Sequence, residues 1–169
     1  MKTLFKIAFW SFMVMFLHSC KPHFSLNGAT IPVEAKTVSV AFFTNKTTLG
    51  KPSMSQKFTE KLRDVVSSQT NLALVKQNGD LQFEGDINDY NVSPVAIQST
   101  DQAALNRLTV TINVKYVNKF DATKNFEQVF TRFTDYKASS TLSAVEDDLL
   151  TEVNRQLTED IFNKAFNNW

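Results

Sequence analysis

LNRLTVTINVKYVN, residues 105–118, contains the clearest strand pattern in this sequence of 169 residues. Apolar and polar residues alternate along it, and successive side chains of an extended strand point to opposite faces of a sheet. One face therefore carries Leu108, Val110, Ile112, Val114 and Tyr116, and the other carries Arg107, Thr109, Thr111, Asn113 and Lys115. This pattern predicts a sheet with one buried face and one polar face.

More strands are predicted on either side of this stretch. Residues 37–43 alternate in the same way, residues 72–76 form a short apolar run, and residues 81–87 alternate before continuing less regularly to Val95. Asn78-Gly79-Asp80 predicts a turn, because Asn and Gly adopt positive φ at low cost. A second turn near residues 118–125 predicts a hairpin that joins the central strand to the last one.

The last predicted strand, residues 126–136, has a less regular pattern. Phe126 and Phe130 fall on one face, whereas Val129 and Phe133 fall on the other. Two interpretations follow: either a bulge shifts the register, or both faces of this strand are covered.

Two amphipathic helices are predicted, one from Ser53 to about Thr70 and one from about Ser143 to the end of the chain. Each has an apolar stripe at spacings of three and four residues. Ser53 with Gln56, and Ser143 with Glu146, have the spacing of a capping box. The segment between the first strand and the first helix, residues 44–52, is predicted to be a loop.

The fold expected from these elements is α+β, an α/β two-layer sandwich. Two amphipathic helices pack on one face of a roughly four-stranded, mixed and mostly antiparallel sheet. The order is β-α-β-β-β-α, or β-α-β-β-β-β-α if residues 72–76 form a separate strand.

The first twenty residues have the features of an export signal. Lys2 and Lys6 precede the uncharged run 7–17, which as a helix spans roughly 16 Å and cannot cross a hydrocarbon core of about 30 Å. Leu17-His18-Ser19-Cys20 resembles the lipobox of bacterial lipoproteins, which implies cleavage before Cys20 and acylation of Cys20. The alternative is an ordinary thiol after a buried helix.

Three segments of the chain follow from this interpretation. We expect a lipoprotein signal peptide over residues 1–19, a lipidated N-terminal tether over residues 20–36, and a single domain over residues 37–169.

Composition excludes several classes of function. The chain has 18 Lys+Arg against 17 Asp+Glu, which does not favour nucleic-acid binding. One cysteine and two histidines exclude an intrachain disulfide and argue against a Cys/His metal site. We predict no catalytic residue, no metal and no cofactor. Glu84 and Asp86 share a strand face, but a solvated polar face explains them better than a catalytic pair.

Two features have no place in the predicted core. Basic residues on or near the polar face of the central strand, Arg107, Lys115 and Arg132 among them, suit an anionic lipid headgroup, or they are solubilising charge. Eleven Phe residues follow Cys20. They form either a Phe-rich core or an exposed contact surface.

Several stretches of the chain resemble the LptE lipoproteins of the Bacteroidetes type. They are residues 28–32, 34–40, 42–43, 55–62, 68–70, 79–85 and 93–97, together with the closing helix. The resemblance implies an outer-membrane lipoprotein that sits inside or against the β-barrel protein LptD and helps lipopolysaccharide reach the outer leaflet. It also implies two helices on a roughly four-stranded sheet and no catalytic residues. Only the acylated cysteine transfers by motif, onto Cys20; Arg107, Lys115 and Arg132 are candidate glycolipid contacts by residue type and position.

The function predicted from the sequence is therefore a non-enzymatic subunit of the lipopolysaccharide-assembly complex. Its expected partners are an LptD-type barrel, lipopolysaccharide, and the outer membrane through N-terminal acyl chains, with the domain facing the periplasm. The alternative is a periplasm-facing lipoprotein that binds a small apolar ligand or another envelope protein.

Overall fold

The central strand, β5 (Leu105–Asn118), pairs antiparallel with β4 (Leu81–Val95) on one side and β6 (Phe126–Lys137) on the other. The computed structural model of the protein describes residues 31–95 and 104–167. The predicted signal peptide, the lipobox and Cys20 lie outside the described residues.

The remaining elements complete one mixed sheet and a helical layer. They are β1 (Thr37–Val40), β2 (Thr44–Asn45), α1 (Met54–Gln69), β3 (Ala73–Val75), a 3₁₀ turn (Ala122–Lys124) and α2 (Leu142–Phe166). The strand order is β3-β1-β4-β5-β6, with β2 also on β4. β1 runs parallel to both β3 and β4, and α1 is the crossover between β1 and β3.

The predicted fold class is confirmed, with corrections to the number of strands. Over residues 31–95 and 104–167 the protein is α+β, with two helices and a mixed open sheet, but this sheet has six strands where roughly four were expected. Residues 73–75 form a strand of their own, as the longer of the two predicted orders requires. β2 lies in the segment predicted to be a loop. The sequence does not predict this strand, because two residues are too few for an alternating pattern to show.

β1 and β2 follow the same edge of β4 with one irregularity between them. Val40 pairs with Phe83, and Thr44 pairs with Asp86. A step of four residues from Val40 to Thr44 thus matches a step of three from Phe83 to Asp86 on β4. This extra residue is the geometry of a β-bulge. The bulge turns Phe43 inward, where it is fully buried, and leaves Phe42 outside.

β6 is regular, so the predicted bulge in this strand is wrong, and within the described chain only one of its faces is covered. Pairing with β5 is continuous from Tyr116–Phe126 to Leu105–Lys137. Phe130 is buried beneath α2, whereas Val129 and Phe133 point to the other face and are 55% and 46% exposed. The register shift lies in β4 instead, between Ile87 and Asp89.

Both helices cover the same face of the sheet. α2 packs against β5 and β6, and α1 packs against α2 and the parallel strands. The predicted apolar stripes are the buried ones, as Phe58, Leu62 and Leu157 show. Near the end of α2 a cluster of aromatic rings fills the layer between helix and sheet, formed by Phe83, Tyr116, Phe126, Phe162 and Phe166.

Neither predicted capping box forms. Ser53 has helical backbone angles and makes no capping bond, and the Gln56 side chain donates to Glu60. A capping side chain needs an extended N-cap backbone, which Ser53 lacks. α2 begins at Leu142, and Glu146 accepts a hydrogen bond of 2.9 Å from Tyr90 Oη. Glu146 thus binds Tyr90 of β4 and not the backbone at the start of its own helix.

Gly85 has no room for a side chain. A Cβ at this position would lie 2.1 Å from the Asn113 carbonyl oxygen and 2.5 Å from the Phe43 ring. Phe43 packs edge-on against Phe58 of α1 with 5.0 Å between ring centroids, and its amide donates to Thr59 Oγ1. Gly85 therefore permits the contact that joins β4 to α1 through Phe43.

Gly85→Ala should destabilise the domain by about 1–3 kcal/mol or more, because the added methyl forces β4 and β5 or the Phe43 ring to move. The free energy of unfolding in urea measures this. Ser67→Ala, at an exposed position on α1, should change it by less than about 0.5 kcal/mol. Equal stability of the two variants would contradict the packing described at Gly85.

The Asp80 carboxylate fixes the start of β1. Its Oδ2 accepts hydrogen bonds from the Lys36 and Thr37 amides, each 3.0 Å long, and from Thr37 Oγ1 at 2.8 Å. Thr37 Oγ1 in turn accepts from the Asp80 amide. These bonds, led by the one from the Lys36 amide, lower the pKa of Asp80 below its usual 3.8. At the predicted turn the chain bends at Asp80, and Asn78 has positive φ.

Asp80→Asn should lower stability at pH 7 and remove part of its pH dependence. A carboxyl group with a lowered folded pKa stabilises the fold above about pH 3.8, and that contribution disappears as the pH falls through the folded pKa. The difference in urea midpoint between wild type and variant should therefore shrink below pH 4. Asp64→Asn, exposed on α1, is the control. A difference that stays constant from pH 7 to pH 3 would refute this role.

Candidate interaction surface

The sheet face opposite the helices, here called the open face, is mainly polar, and Val129 and Phe133 are the large apolar residues of β6 exposed on it. Cross-strand partners bond along it: Thr111 Oγ1 lies 3.0 Å from Thr131 Oγ1, and Asn113 Nδ2 donates to Glu127 Oε1 at 3.0 Å. Such pairs hold β5 and β6 in register on the solvent side. In the described part of the chain, no helix or loop covers this face of β5 and β6.

Arg107 is held rigidly at one end of the open face. Its guanidinium donates two hydrogen bonds to Asp135, from Nε at 2.7 Å and Nη2 at 2.9 Å. The Arg107 Cζ also lies 3.6 Å from the centroid of the Phe133 ring. The bidentate bond lowers the pKa of Asp135 below its usual value. Arg107 and Phe133 thus form a stacked, preorganised pair with part of the ring exposed.

Val129 lies on the same face of β6, four residues or about 14 Å from Phe133. Arg107, Val129, Phe133 and Asp135 are here called the β6 patch. Aromatic and Arg side chains are enriched in protein interfaces, and fixed side chains lose less entropy on binding. The β6 patch is therefore the strongest candidate contact surface among the described residues.

The three basic residues predicted to contact lipid do not converge. Arg107 and Lys115 share the open face but are eight residues apart, or about 27 Å. Arg132 points to the helix side, where it makes two bonds to Asp160 of α2, at 2.5 and 2.7 Å. Lys115 Nζ lies 3.8 Å from Glu84, and both side chains are 53% exposed.

The Phe residues divide between the two interpretations. Seven of those described belong to the core or pack against it. Phe42, Phe120 and Phe133 are 58%, 49% and 46% exposed. The sequence pattern identified Phe133 as facing away from Phe130, but nothing in it showed that Arg107 stacks on the ring.

The acidic side chains of the described residues do not assemble into a metal site. Within residues 31–95 and 104–167, no group of three His, Cys, Asp or Glu side chains is placed to hold a metal ion. Glu84 and Asp86 each face a lysine, Lys115 and Lys46 respectively. No described helix is long and apolar enough to span a membrane.

Space for a ligand is found at the surface of the described domain. A groove of about 500 Å³ lies between loop 49–52, β4 and the start of α2, with Tyr90 and Glu146 in its wall. A second groove, of about 440 Å³, lies beyond the end of β3 and has a mainly polar lining. The layer between helices and sheet is packed with fully buried side chains.

The fold and its surface define a two-layer α+β domain with one helix-covered sheet face and one open face. A family model described as LptE, Lipopolysaccharide-assembly, matches residues 35–165. The chain belongs to the LptE family, whose members are non-enzymatic lipoproteins of lipopolysaccharide assembly. The resemblance noted in the sequence is thereby confirmed.

Solved structures share the fold at low sequence identity. A minor lipoprotein from Acinetobacter baumannii is 13% identical, with a TM-score of 0.51 over 77% of this chain and 91% of that one. A putative neuraminyllactose-binding hemagglutinin homolog from Helicobacter pylori is 8% identical, with a TM-score of 0.53 over 84% and 89%. A hypothetical protein from Chlamydia trachomatis is 9% identical, with a TM-score of 0.52 over 78% and 98%. No curated protein matches the sequence.

Arg107→Ala should raise the pKa of Asp135 towards 3.8, because the two guanidinium bonds that favour the carboxylate are lost. Carboxyl-detected NMR titration measures this. Asp121, whose pKa is lowered mainly by the Thr123 hydroxyl, is the internal control and should not change. Arg107→Lys should restore the shift only in part, since an ammonium cannot make the bidentate contact. An unaltered Asp135 titration in Arg107→Ala would be inconsistent with the pairing.

Proposed function

We propose that the protein is a lipid-anchored outer-membrane subunit that binds an LptD-type β-barrel and helps it deliver lipopolysaccharide to the outer leaflet. The match of the LptE model to residues 35–165 is the observation that carries this proposal. The described domain presents exposed side chains that suit contact with a partner, among them Val129 and Phe133.

The anchor in this proposal is Cys20. It is the only cysteine in the sequence and directly follows Leu17-His18-Ser19, so acylation there would tether a domain whose described chain starts at residue 31. Two or more acyl chains hold a protein firmly on a bilayer. Residues 20–36 are proposed as the tether and residues 37–169 as the domain. Ile31 and Ala35 already pack against the core, so the end of this segment is fixed to the domain.

The β6 patch is the proposed contact with the barrel. The helix-covered face of β5 has no apolar surface left for a partner, whereas Val129 and Phe133 are about half exposed and Arg107 is fixed over the Phe133 ring. An exposed aromatic ring held by an Arg has the composition of an interface hot spot.

Lys115 is the best placed of the three proposed glycolipid contacts. Arg107 and Arg132 would each have to leave a carboxylate that they hold with two hydrogen bonds. Lys115 is 53% exposed and only 3.8 Å from Glu84, so its ammonium can meet a phosphate at little cost.

The alternative of a small apolar ligand between helices and sheet has less support. Such a ligand needs an enclosed apolar cavity. In the described domain that layer is filled by side chains with no exposure, among them Phe58, Ile112 and Leu157. Another envelope protein as partner would use the same exposed surface as the barrel.

Purification from mildly solubilised outer membranes tests the proposed complex. The wild type should retain a large barrel protein. Phe133→Glu should reduce that recovery by about tenfold or more, since losing one hot-spot contact costs about 2 kcal/mol of binding. Leu49→Glu is the matched control, because Leu49 is 60% exposed but lies outside the β6 patch.

The two parts of the proposal can fail separately. If no barrel protein accompanies the wild type, the proposed function is wrong. If recovery is equal for Phe133→Glu and Leu49→Glu, the barrel is bound through another surface.

A further inference from the structure

β6 forms one edge of the sheet, and within residues 31–95 and 104–167 its outer side has no strand beside it. It pairs with β5 without interruption from Phe126 to Lys137. In an antiparallel pair, residues whose N–H and C=O bond to the neighbouring strand alternate with residues whose groups point away from it. An edge strand of twelve residues therefore directs the N–H and C=O groups of about six residues outward.

Two hydrogen bonds at the strand ends show which residues these are. The Ala138 amide donates to the Ala104 carbonyl at 2.9 Å, one residue beyond the paired stretch of β5 and β6. On the other side of β5, the Lys119 amide donates to the Asp80 carbonyl at 3.1 Å, next to β4. Even-numbered residues of β5 and β6 thus bond to each other. By the same alternation, the outward groups of β6 belong to its odd-numbered residues, which are Glu127, Val129, Thr131, Phe133, Asp135 and Lys137.

The residues with outward backbone groups are also the ones whose side chains lie on the open face. Val129 and Phe133 are exposed there, whereas Phe130 is buried beneath α2. A strand added to this edge would bond to the backbone of Val129 and Phe133. Because directly paired residues share one sheet face, it would also lay its own side chains against theirs, at Cα distances of about 5.5 Å. One extended segment thus satisfies the outward backbone groups and covers both exposed apolar side chains.

β6 lacks most of the features by which proteins protect a sheet edge. Protected edges are short, or carry Pro, Lys or a bulge. β6 has twelve residues, no Pro, no Lys before Lys137 and no register shift against β5. Arg132 is the charged residue on its helix side, but Asp160 neutralises that charge. The opposite edge strand, β3, has three residues and is followed directly by Lys76. The long and regular edge of β6 is thus the one suited to strand addition.

The side chains along the outward positions define the segment that fits them. Val129 and Phe133 require apolar residues four positions apart. Glu127 and Lys137 give the two ends of the edge opposite charge, and both are exposed. Opposite charges across a strand pair stabilise it. The complementary segment is therefore an extended stretch of up to about ten residues, apolar in the middle, basic near Glu127 and acidic near Lys137.

A second copy of this chain matches the edge less well. Two β6 strands related by a two-fold axis pair antiparallel, and one register sets Val129 opposite Phe133 of the other copy. It also sets Glu127 opposite Asp135, and like charges directly opposite each other weaken a strand pair. A register that sets Glu127 opposite Lys137 loses the apolar match, because Val129 then faces a carboxylate. The charges along β6 therefore favour a different polypeptide.

We propose that the barrel partner binds by strand addition, in which an extended segment of that protein pairs with the outer edge of β6 and covers Val129 and Phe133. This inference rests on the proposed function and adds the way in which the partner is held. A closed β-barrel has no free strand edge. The segment is therefore a loop or a terminal arm of the barrel protein and not a strand of its wall. Main-chain hydrogen bonds provide affinity, and the alternate side chains provide specificity.

A proline at an outward position tests this pairing. Thr131→Pro removes an N–H that points away from β5, so the pairing of β5 with β6 keeps its bonds, whereas the ring blocks a strand on the outer edge. Thr131→Ala is the matched control, since it loses the same hydroxyl contact with Thr111 and keeps the N–H. Both variants leave Val129 and Phe133 in place. In purification from mildly solubilised outer membranes, Thr131→Pro should reduce recovery of the barrel protein by about tenfold or more, and Thr131→Ala by less than about twofold.

The outcomes separate strand addition from the proposed function. Equal recovery with Thr131→Pro and Thr131→Ala would overturn strand addition, because a contact made by side chains alone tolerates the proline. If no barrel protein accompanies the wild type, the proposed function itself is wrong and strand addition falls with it.

Hydrogen exchange on the wild-type protein gives a test that does not depend on the folding of a variant. Exchange is carried out on the acylated protein alone and on its purified complex with the barrel, then quenched and measured residue by residue. The amides of Val129, Thr131 and Phe133 should exchange about tenfold or more slowly in the complex, because they gain partners there. Those of Gln128 and Phe130 are bonded to β5 and should be slow in both samples. Equal exchange of the outward amides in both samples would contradict the proposal.

Cross-linking identifies the added strand. The photoreactive residue p-benzoylphenylalanine is introduced in place of Val129, which is 55% exposed beside the outer edge. Cross-links should fall within one loop or terminal segment of the barrel protein that has apolar residues at alternate positions. Cross-links to a second copy of this chain, or to the wall of the barrel, would show that another contact occupies this edge and that the proposal is wrong.

Discussion

The close approach of three segments at Gly85 is the constraint on which the rest of the structure depends. β4, the Asn113 carbonyl of β5 and the ring of Phe43 meet where a Cβ would stand. Because that space is free, the bulge between β1 and β2 can turn Phe43 inward against Phe58, and α1 takes its place over the parallel strands. The helical layer is thus positioned by a residue without a side chain.

Alternation and helical periodicity were enough to predict the two layers, because the apolar pattern of residues 105–118 and of both helices is strong. What they could not show depended on contacts distant in sequence. β2 has two residues and is held by pairing with β4, and Glu146 bonds to Tyr90 and not within its own helix. Residue types alone grouped Arg107, Lys115 and Arg132, whereas the hairpin register gives Arg107 and Arg132 different faces and different carboxylate partners.

Exposed apolar residues of the described domain lie in separate regions. Val129 and Phe133 of the β6 patch are on the long antiparallel part of the sheet, whereas Val33 and Phe120 are at the end where β1 and β4 begin and β5 ends. Asp80 links that end to the core, because the carboxylate that aligns β1 with β4 also binds the Lys36 amide, and its backbone carbonyl binds the Lys119 amide. The hydrogen bonds of Asp80 therefore both stabilise the fold and fix the backbone at two exposed lysines.

β6 is the last strand of the sheet, and in the described chain no strand pairs with its outer edge. A free edge of twelve residues is a template for any extended segment that meets it. The Arg132–Asp160 pair places charge on the helix side of that edge, which disfavours pairing with another strand, but Val129 and Phe133 leave the other side unguarded. A subunit without its partner is therefore a candidate for strand addition and self-association along β6, and a bound partner would also protect the subunit from aggregation.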